Sequence, residues 1–238
     1  MILNPSLLSS VVYPVCINIT GKRCVVVGGG NVAERKVLSL LDAGASVRII
    51  SPQLTATLAG LTADAVGDHS ACRIEWLERG YRQGDLAGAL LVFAATNNKD
   101  VQNAIVQDAN QADLLVNVAD APDHCGFQVP ALVRRGDLTI AVSTNGKSPA
   151  VAAKVRQRLE KSYGEEYAVL LRLMSQLREQ VCASSLNYTD RKILFQKILH
   201  EDIIQWIKTE QWDLLHKHLC TVLESDIIFD ISQLTRNK

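Results

Sequence analysis

Three consecutive glycines, Gly28-Gly29-Gly30, stand between a strand-like and a helix-like segment, and they restrict the folds open to this chain. Residues 23–27 (RCVVV) form a largely β-branched run, typical of a strand buried on both faces. Residues 31–43 place apolar side chains on one helical face, and Gly44 follows as a natural stop. A Gly-x-Gly-x-x-Ala turn in this position is the fingerprint of a dinucleotide-binding βαβ unit. The sequence therefore predicts an α/β fold with a nucleotide site at its first turn.

The alternation of strands and helices continues as far as residue 118. Further strands are predicted at 45–50, 73–77, 90–95 and 114–118, with a helix over 100–112. Strands that alternate with helices in this way indicate a Rossmann-type, doubly wound parallel sheet.

The pattern changes after Asp120. Residues 127–133 and 138–143 are strand-like, and Arg134-Arg135-Gly136-Asp137 between them predicts a hairpin rather than another crossover unit. Ser148-Pro149 is a strong helix start, because a hydroxyl can cap the helix and proline suits its first position.

The rest of the chain is helical in period from Pro149 to Leu223, with breaks near Gly164 and at 184–187. We predict three parts in all. They are a Rossmann NAD-binding domain over 1–128, a hairpin-and-helix segment over 129–163 and a helical C-terminal domain over 164–238.

Composition excludes several classes of protein. The chain has 25 basic and 25 acidic residues and is 47% hydrophobic, which excludes a disordered tail and argues against nucleic acid as the main partner. No secretory signal or transmembrane segment is apparent, so we expect a cytoplasmic protein with no membrane partner. The six cysteines form no C-x-x-C pair and are expected to be small buried apolar residues in a reducing compartment: Cys16, Cys24, Cys72, Cys125, Cys182 and Cys220.

The predicted first turn supplies the pyrophosphate contacts. Gly28 permits the tight turn, and Gly30 lets the backbone approach the phosphates. Asn31 and Val32 open the following helix, whose unpaired N–H groups and positive dipole end attract anions.

Two further strand ends are expected to face the cofactor. Ser51, Pro52 and Gln53 follow the second strand, where a carboxylate usually binds the ribose of NAD. Because this carboxylate is absent, NADP remains an alternative, and the nearby Arg48 could meet its 2′-phosphate. NAD is still favoured. Thr96 and Asn97 end the fourth strand at the same edge, with ordinary turn chemistry as the alternative.

Taken together and in order, several blocks resemble the precorrin-2 dehydrogenase (siroheme synthase N-terminal) family. The similarity covers roughly residues 10–180, and the helical tail after about Cys182 carries none of the motifs. The blocks are residues 13–15 (YPV), 28–36 (GGGNVAERK), 94–97 (AATN), 117–122 (NVADAP), Phe127, Pro130 and 143–150 (STNGKSPA).

The resemblance implies an activity and an assembly. It implies oxidation of precorrin-2 to sirohydrochlorin with NAD as acceptor, in a homodimer whose central segments (129–163, a dimerisation segment) exchange between subunits. Asp120 matches the family's key carboxylate. It would take a proton, orient the substrate or accept pyrrole N–H bonds, whereas the residues alone favour a turn position.

A substrate with many carboxylates needs cations and N–H donors. Arg134, Arg135 and Lys147 are candidates, as is the loop Thr144-Asn145-Gly146 ahead of a helix N-terminus. The two arginines read equally well as a solvated hairpin tip. His124 is either an acid–base partner of Asp120 or a surface loop residue, and we expect no permanent metal site.

Three alternatives remain at this point. Some family members also insert ferrous iron into sirohydrochlorin, so a bifunctional dehydrogenase and ferrochelatase is the close rival. Others carry a fused methyltransferase, for which this chain is too short. A non-catalytic NAD-sensing domain and a degenerate dimeric scaffold are rivals from other classes, and the blocks at 117–120 and 144–150 speak against a pure sensor.

Overall fold

The computed structural model of the chain describes residues 12–64, 73–184, 186–223 and 234. The chain forms two compact units, Met1–Val129 and Pro130–Lys238. Cys72 lies outside the described residues. The division of the second unit into a hairpin-and-helix segment and a later helical domain stays a prediction.

The first unit contains a five-stranded, all-parallel sheet in the order β3-β2-β1-β4-β5. This arrangement confirms the predicted Rossmann-type fold, and each strand lies within about one residue of its predicted position. The strands are β1 (Arg23–Val27), β2 (Ser46–Ile50), β3 (Ile74–Leu77), β4 (Leu91–Ala94) and β5 (Leu115–Val118).

Both faces of the sheet are covered by helices. Side chains alternate along β1, so Cys24 and Val26 join one apolar cluster while Val25 and Val27 join the other. The first cluster includes Val37. Burial on both faces is why residues 24–27 are continuously apolar. The helices of this unit are α1 (Asn31–Asp42), α2 (Ala56–Asp64) and α3 (Lys99–Gln111).

Helix α2 is absent from the sequence prediction. Its segment, ATLAGLTAD, contains a glycine and two threonines and gives a weak helical pattern. The helix is anchored by Leu58, which is fully buried in the first apolar cluster. Tertiary packing therefore outweighs local propensity in this segment.

The second unit begins with an antiparallel hairpin and continues as helices. Its apolar cluster is centred on Leu173, Leu177, Leu215 and Leu219. None of the helices in the described part of the chain is long and apolar enough to cross a bilayer. The elements are β6 (Ala131–Arg135), β7 (Leu138–Val142), α4 (Pro149–Ser162), α5 (Glu166–Ala183), α6 (Tyr188–Ile198), α7 (Ile203–Lys208) and α8 (Trp212–Leu223).

The hairpin turn is shorter than the sequence suggests. Arg134 and Arg135 belong to β6 and pair with Thr139 and Leu138 in register. Gly136 alone has the positive φ of +55° that a tight hairpin turn needs. The expectation of an arginine-tipped turn is therefore wrong, because strand pairing continues to Arg135.

The cysteines are more varied than expected. All described cysteines are free thiols, and Cys24 is fully buried. Cys16 and Cys182 are exposed, so the expectation of buried apolar residues is wrong for these two. Cys16 lies before β1 in a segment without regular secondary structure, and Cys182 lies near the end of α5.

We expect Asp85 to carry a measurable share of the first unit's stability. Its carboxylate accepts two hydrogen bonds from the Arg79 guanidinium, at 2.7 and 2.8 Å, and one from the backbone N–H of Arg82. The Arg79 hydrogen bonds hold the pKa of Asp85 below its ordinary value. Asp85→Asn is expected to lower the midpoint of thermal unfolding by several degrees at pH 7.

The pH dependence tests the cause of this loss. Because the folded-state pKa is depressed, the ion pair stabilises fully above about pH 4, the ordinary Asp value, and its effect fades as pH falls through the folded pKa. The gap between wild type and Asp85→Asn should therefore close in acid. Glu75→Gln, at the half-exposed Arg48–Glu75 pair, serves as control and should change little. A gap that is constant down to pH 2 contradicts the assignment.

Candidate functional site

The carboxyl ends of four parallel strands meet at one edge of the sheet. Val27 is in register with both Ile50 and Ala94, and Ala94 is in register with Val118. The residues that follow these four are therefore neighbours. The chain reverses its winding direction between β1 and β4, and ligands of open α/β sheets bind at such a switch point.

Close backbone contacts require glycine at positions 28 and 29, because they leave no space for a side chain. A Cβ on Gly28, which has φ +128°, would lie 2.2 Å from the carbonyl oxygen of Ala95. A Cβ on Gly29 would lie 1.9 Å from the carbonyl oxygen of Gln53. Neither residue of the Gly-x-Gly pattern accounts for Gly29, and the only sequence signal for it is that the glycines form a triplet. These two residues fix the distance between the turn and its neighbouring loops.

Gly30 has a different role, because nothing lies within 4 Å of the position its Cβ would take. It is the N-cap of α1, with φ −86°, and no side chain caps the helix. The first N–H groups of a helix have no partner within it, and its dipole favours anions there. Asn31 and Val32 are exposed at this end. The open space and the unpaired donors fit a pyrophosphate.

A cavity of about 540 Å³ adjoins this turn and is lined by Gly29, Gly30 and the loop of residues 51–55. Ser51 is buried and its hydroxyl donates to the carbonyl of Gln53 at 2.7 Å. The backbone N–H of Thr55 donates to the carbonyl of Gly29 at 2.9 Å. These bonds hold the loop against the turn, while Pro52 and Gln53 remain exposed. The residues present therefore fit the nucleoside half of a dinucleotide.

Arg48 is engaged elsewhere. Its Nε lies 2.8 Å from Oε2 of Glu75, and its Nη1 donates to the carbonyl of Asp85 at 3.3 Å. Arg48 is absent from the lining of the cavity, and that lining, as far as the structure describes it, contains no cationic side chain.

The end of β4 contributes Thr96 and Asn97 to the same edge. The carbonyl of Thr96 accepts a 2.6 Å bond from Gln102 Nε2, and its hydroxyl accepts from the N–H of Asn98. Asn98, rather than Asn97, caps α3. Asn97 is exposed. Helix capping therefore explains the asparagine at position 98, whereas the side chain of Asn97 is available to a ligand.

Asp120 lies two residues beyond β5. It is exposed and has a positive φ of +59°, a backbone conformation that aspartate and asparagine tolerate better than most residues. Among the described residues, none hydrogen-bonds or ion-pairs with its carboxylate. The N–H of Ala119 donates to the carbonyl of Ala94, which fixes this segment beside the end of β4. His124 follows in a short 3-10 turn (Pro122–His124) and is exposed.

The other candidate residues belong to the second unit. Thr144 bonds to the backbone of Ser148 in both directions, and the Ser148 hydroxyl accepts from the N–H of Val151 to cap α4. Asn145 and Gly146 have positive φ values of +50° and +75°. This network presents an exposed Lys147 at the helix start.

The two arginines of β6 differ in their surroundings. Arg135 donates to the carbonyls of Arg134 and Glu160, and its Nε lies 3.5 Å from the carboxylate of Glu165. Its guanidinium therefore joins β6 to α4 and to the chain before α5. Arg134 is the more exposed of the two.

No cluster of three or more metal-ligating side chains occurs among the residues that the structure describes.

Comparison with known proteins agrees with this geometry. The profile of a family described as "Putative NAD(P)-binding" matches residues 15–131, and one described as "Sirohaem biosynthesis protein central" matches residues 135–162. The first unit is thus an NAD(P)-binding domain by family as well as by fold.

Curated relatives extend the match. Siroheme synthase 3 of Aeromonas hydrophila is 34% identical over 189 residues, which cover 79% of this chain and 39% of that protein. Siroheme synthase of Methylobacillus flagellatus is 36% identical over 198 residues, covering 83% and 40%. The chain spans about two fifths of the length of the curated relatives it matches.

A solved structure supports the fold. The structure titled "SirC, precorrin-2 dehydrogenase" aligns with 90% of this chain and 100% of its own, with a TM-score of 0.74 and 23% sequence identity. The two profiles and the curated relatives agree with one another. The chain is related to the siroheme synthases, with an NAD(P)-binding segment over residues 15–131 followed by a sirohaem biosynthesis central segment over residues 135–162.

Proposed function

We propose that this chain is an NAD-dependent precorrin-2 dehydrogenase, which oxidises precorrin-2 to sirohydrochlorin in siroheme biosynthesis. The observation that carries the proposal is the unpaired Asp120 carboxylate at the same sheet edge as the glycine turn. A domain that only senses NAD needs no free carboxylate beside the cofactor site.

The reaction removes two hydrogens from the macrocycle. Bound NAD would accept one of them, with both electrons, as hydride. The other leaves as a proton, and Asp120 takes it onto a carboxylate oxygen. The turn from Gly28 to Gly30 and the first N–H groups of α1 would hold the pyrophosphate. Residues 51–53 would contact the adenosine, and Thr96 and Asn97 the other half of the cofactor.

NAD, rather than NADP, is the proposed cofactor. A 2′-phosphate requires a cation at the ribose end of the site. Arg48 is the cation that the sequence offers there, and it is held by Glu75 and by the carbonyl of Asp85. Ser51 is buried and turned toward Gln53, so the described lining of the cavity carries no charge that would select a phosphate.

The second unit offers groups suited to the carboxylates of the substrate. Lys147 and Arg134 are exposed cations, and the loop of Thr144, Asn145 and Gly146 leads to an anion-favouring helix start. We assign Arg135 a smaller share, since its guanidinium already has three partners within its own unit. His124, close to Asp120 in sequence, is a further candidate contact.

A homodimer with exchanged central segments is part of the proposal. Helix α4 buries only Ala152, while Val151 and Val155 are 52% and 38% exposed. Apolar side chains at this spacing on one helix favour a protein partner. A cytoplasmic location, where free thiols and NAD coexist, is proposed with it.

The first test is anaerobic incubation of the purified protein with precorrin-2 and NAD, with the absorbance of sirohydrochlorin and NADH followed together. We expect the two products to appear in a 1:1 ratio, and NADP to support at least about tenfold lower kcat/KM because of its uncompensated 2′-phosphate. Size-exclusion chromatography with light scattering measures the oligomeric state in the same preparation.

Two results would contradict the proposal. NAD binding without turnover would favour a sensing domain and return Asp120 to the role of a turn residue. Turnover with NADP that equals turnover with NAD would contradict the cofactor assignment.

A separate assay tests the ferrochelatase alternative. Ferrous iron is added to the sirohydrochlorin formed, and the rate of iron insertion is compared with the spontaneous rate. A rate above the spontaneous one would add the ferrochelatase activity.

A further inference from the structure

The thiol of Cys125 contacts the chain on both sides of Asp120. Its Sγ accepts a hydrogen bond from the backbone N–H of Val118 at 3.2 Å. Its S–H lies within reach of two carbonyl oxygens, Ala121 at 3.3 Å and Val118 at 3.4 Å. One sulfur thereby joins the residue two before Asp120 to the residue that follows it.

The same sulfur also contacts the side chain at the base of this loop. Asn117 Nδ2 lies 3.6 Å from Cys125 Sγ and donates to the carbonyl of Phe127 at 3.0 Å. The ring of Phe127 packs edge-on against Phe93 of β4, with centroids 5.3 Å apart. The loop from Asn117 to Phe127 is therefore closed at its base, and Cys125 occupies its interior.

Asp120 needs such support, because its backbone is held at φ +59° and its carboxylate has no partner among the described residues. The backbone N–H of Ala121 reaches the carbonyl of Val118 only at 3.5 Å, a long bond for a turn. Sulfur forms weak hydrogen bonds, but several converge here on a half-buried atom packed against the apolar cluster of the sheet.

We propose that Cys125 is a positioning residue, which acts through the backbone of residues 118–121 to hold the Asp120 carboxylate toward the cofactor. This inference rests on the proposed function, since Asp120 is its target. It makes the thiol a structural element of the catalytic turn, with no direct contact to substrate.

Two substitutions separate positioning from simple packing. Cys125→Ala removes every sulfur contact, and kcat for precorrin-2 oxidation is expected to fall about 10- to 100-fold, the range caused by ångström-scale misplacement of a reacting group. KM for NAD and for precorrin-2 should change less than about twofold. Cys125→Ser keeps a donor and an acceptor in place and should restore kcat to within about threefold of wild type. Cys182→Ala, at an exposed thiol in the second unit, is the control.

Hydrogen exchange supplies a readout that does not require turnover. The amides of residues 118–121 should exchange faster in Cys125→Ala and at the wild-type rate in Cys125→Ser. Wild-type kcat in Cys125→Ala, with turnover in the parent protein, would overturn the inference and leave the proposed function intact. Equal loss of kcat, cofactor affinity and thermal stability in both variants would reduce Cys125 to a packing residue.

If the parent protein does not turn over precorrin-2, the proposed function fails first. The exchange data then still decide whether the thiol holds the turn: unchanged exchange at 118–121 in Cys125→Ala rejects it, and faster exchange retains it as a structural statement only.

Discussion

Asp120→Asn should reduce kcat for precorrin-2 oxidation by about 100- to 10,000-fold, the usual contribution of a positioned acid–base group. Asparagine has nearly the same shape as aspartate and tolerates the left-handed backbone of this position equally well, so the fold should be unchanged. Only the ability to take a proton is lost. Affinity for NAD, measured by fluorescence titration, should stay within about twofold of wild type because the glycine turn is untouched.

Asp113 offers a matched control. It also has a positive φ, +52°, but it lies before β5, at the amino ends of the strands and away from the carboxyl ends where Asp120 lies. Asp113→Asn should leave kcat and KM unchanged. Full activity in Asp120→Asn would remove the mechanistic assignment, whereas equal losses in both variants would point to a general effect of replacing turn aspartates.

Gly30→Val should weaken NAD binding by at least about 100-fold, ~2.8 kcal/mol, with little change in thermal stability. The N-cap φ of −86° is open to any residue, and nothing lies within 4 Å of the new Cβ. The side chain would instead occupy the space proposed for the pyrophosphate. Isothermal titration calorimetry gives the affinity, and thermal unfolding in the absence of cofactor gives the stability.

The comparison with two other glycines makes this result specific. Gly60→Val adds the same side chain in open space on α2 and should leave NAD affinity unchanged. Gly29→Ala places a Cβ 1.9 Å from the carbonyl of Gln53 and should destabilise the fold itself. Unaltered NAD affinity in Gly30→Val would contradict the assignment of the glycine turn to the pyrophosphate.

Much of this architecture could be predicted from the sequence, because the first unit obeys local rules. The run at 23–27 is apolar at every position after Arg23, and burial in two clusters requires that pattern. Ser148-Pro149 begins α4, with the serine as its cap. Since parallel strands end at a common edge, the same reasoning brought Gly28, Ser51, Thr96 and Asp120 together.

The features that sequence reasoning missed depend on contacts between distant segments. The requirement for glycine at position 29 comes from the carbonyl of Gln53, which only the folded loop brings near. The role of Cys125 depends on how the chain returns to β5 after Asp120. The charged residues and the glycine around Arg135 predict a turn at this position. In the structure, pairing of Arg135 with Leu138 extends β6 to this residue.

Because the side chains of β1 alternate between the two apolar clusters, this strand and the loops around it differ in local stability. A central strand with neighbours on both sides and apolar contacts on both faces exchanges its amides only when the whole unit unfolds. The glycine turn proposed for the cofactor begins at Gly28, directly after the last residue of that strand, and is therefore expected to share its protection. The loop carrying Asp120 follows the edge strand β5, so we expect it to open locally at a lower free energy than the central strand. The regions proposed for cofactor binding and for proton transfer thus differ in local stability, so we expect mutations to alter proton transfer without loss of cofactor binding.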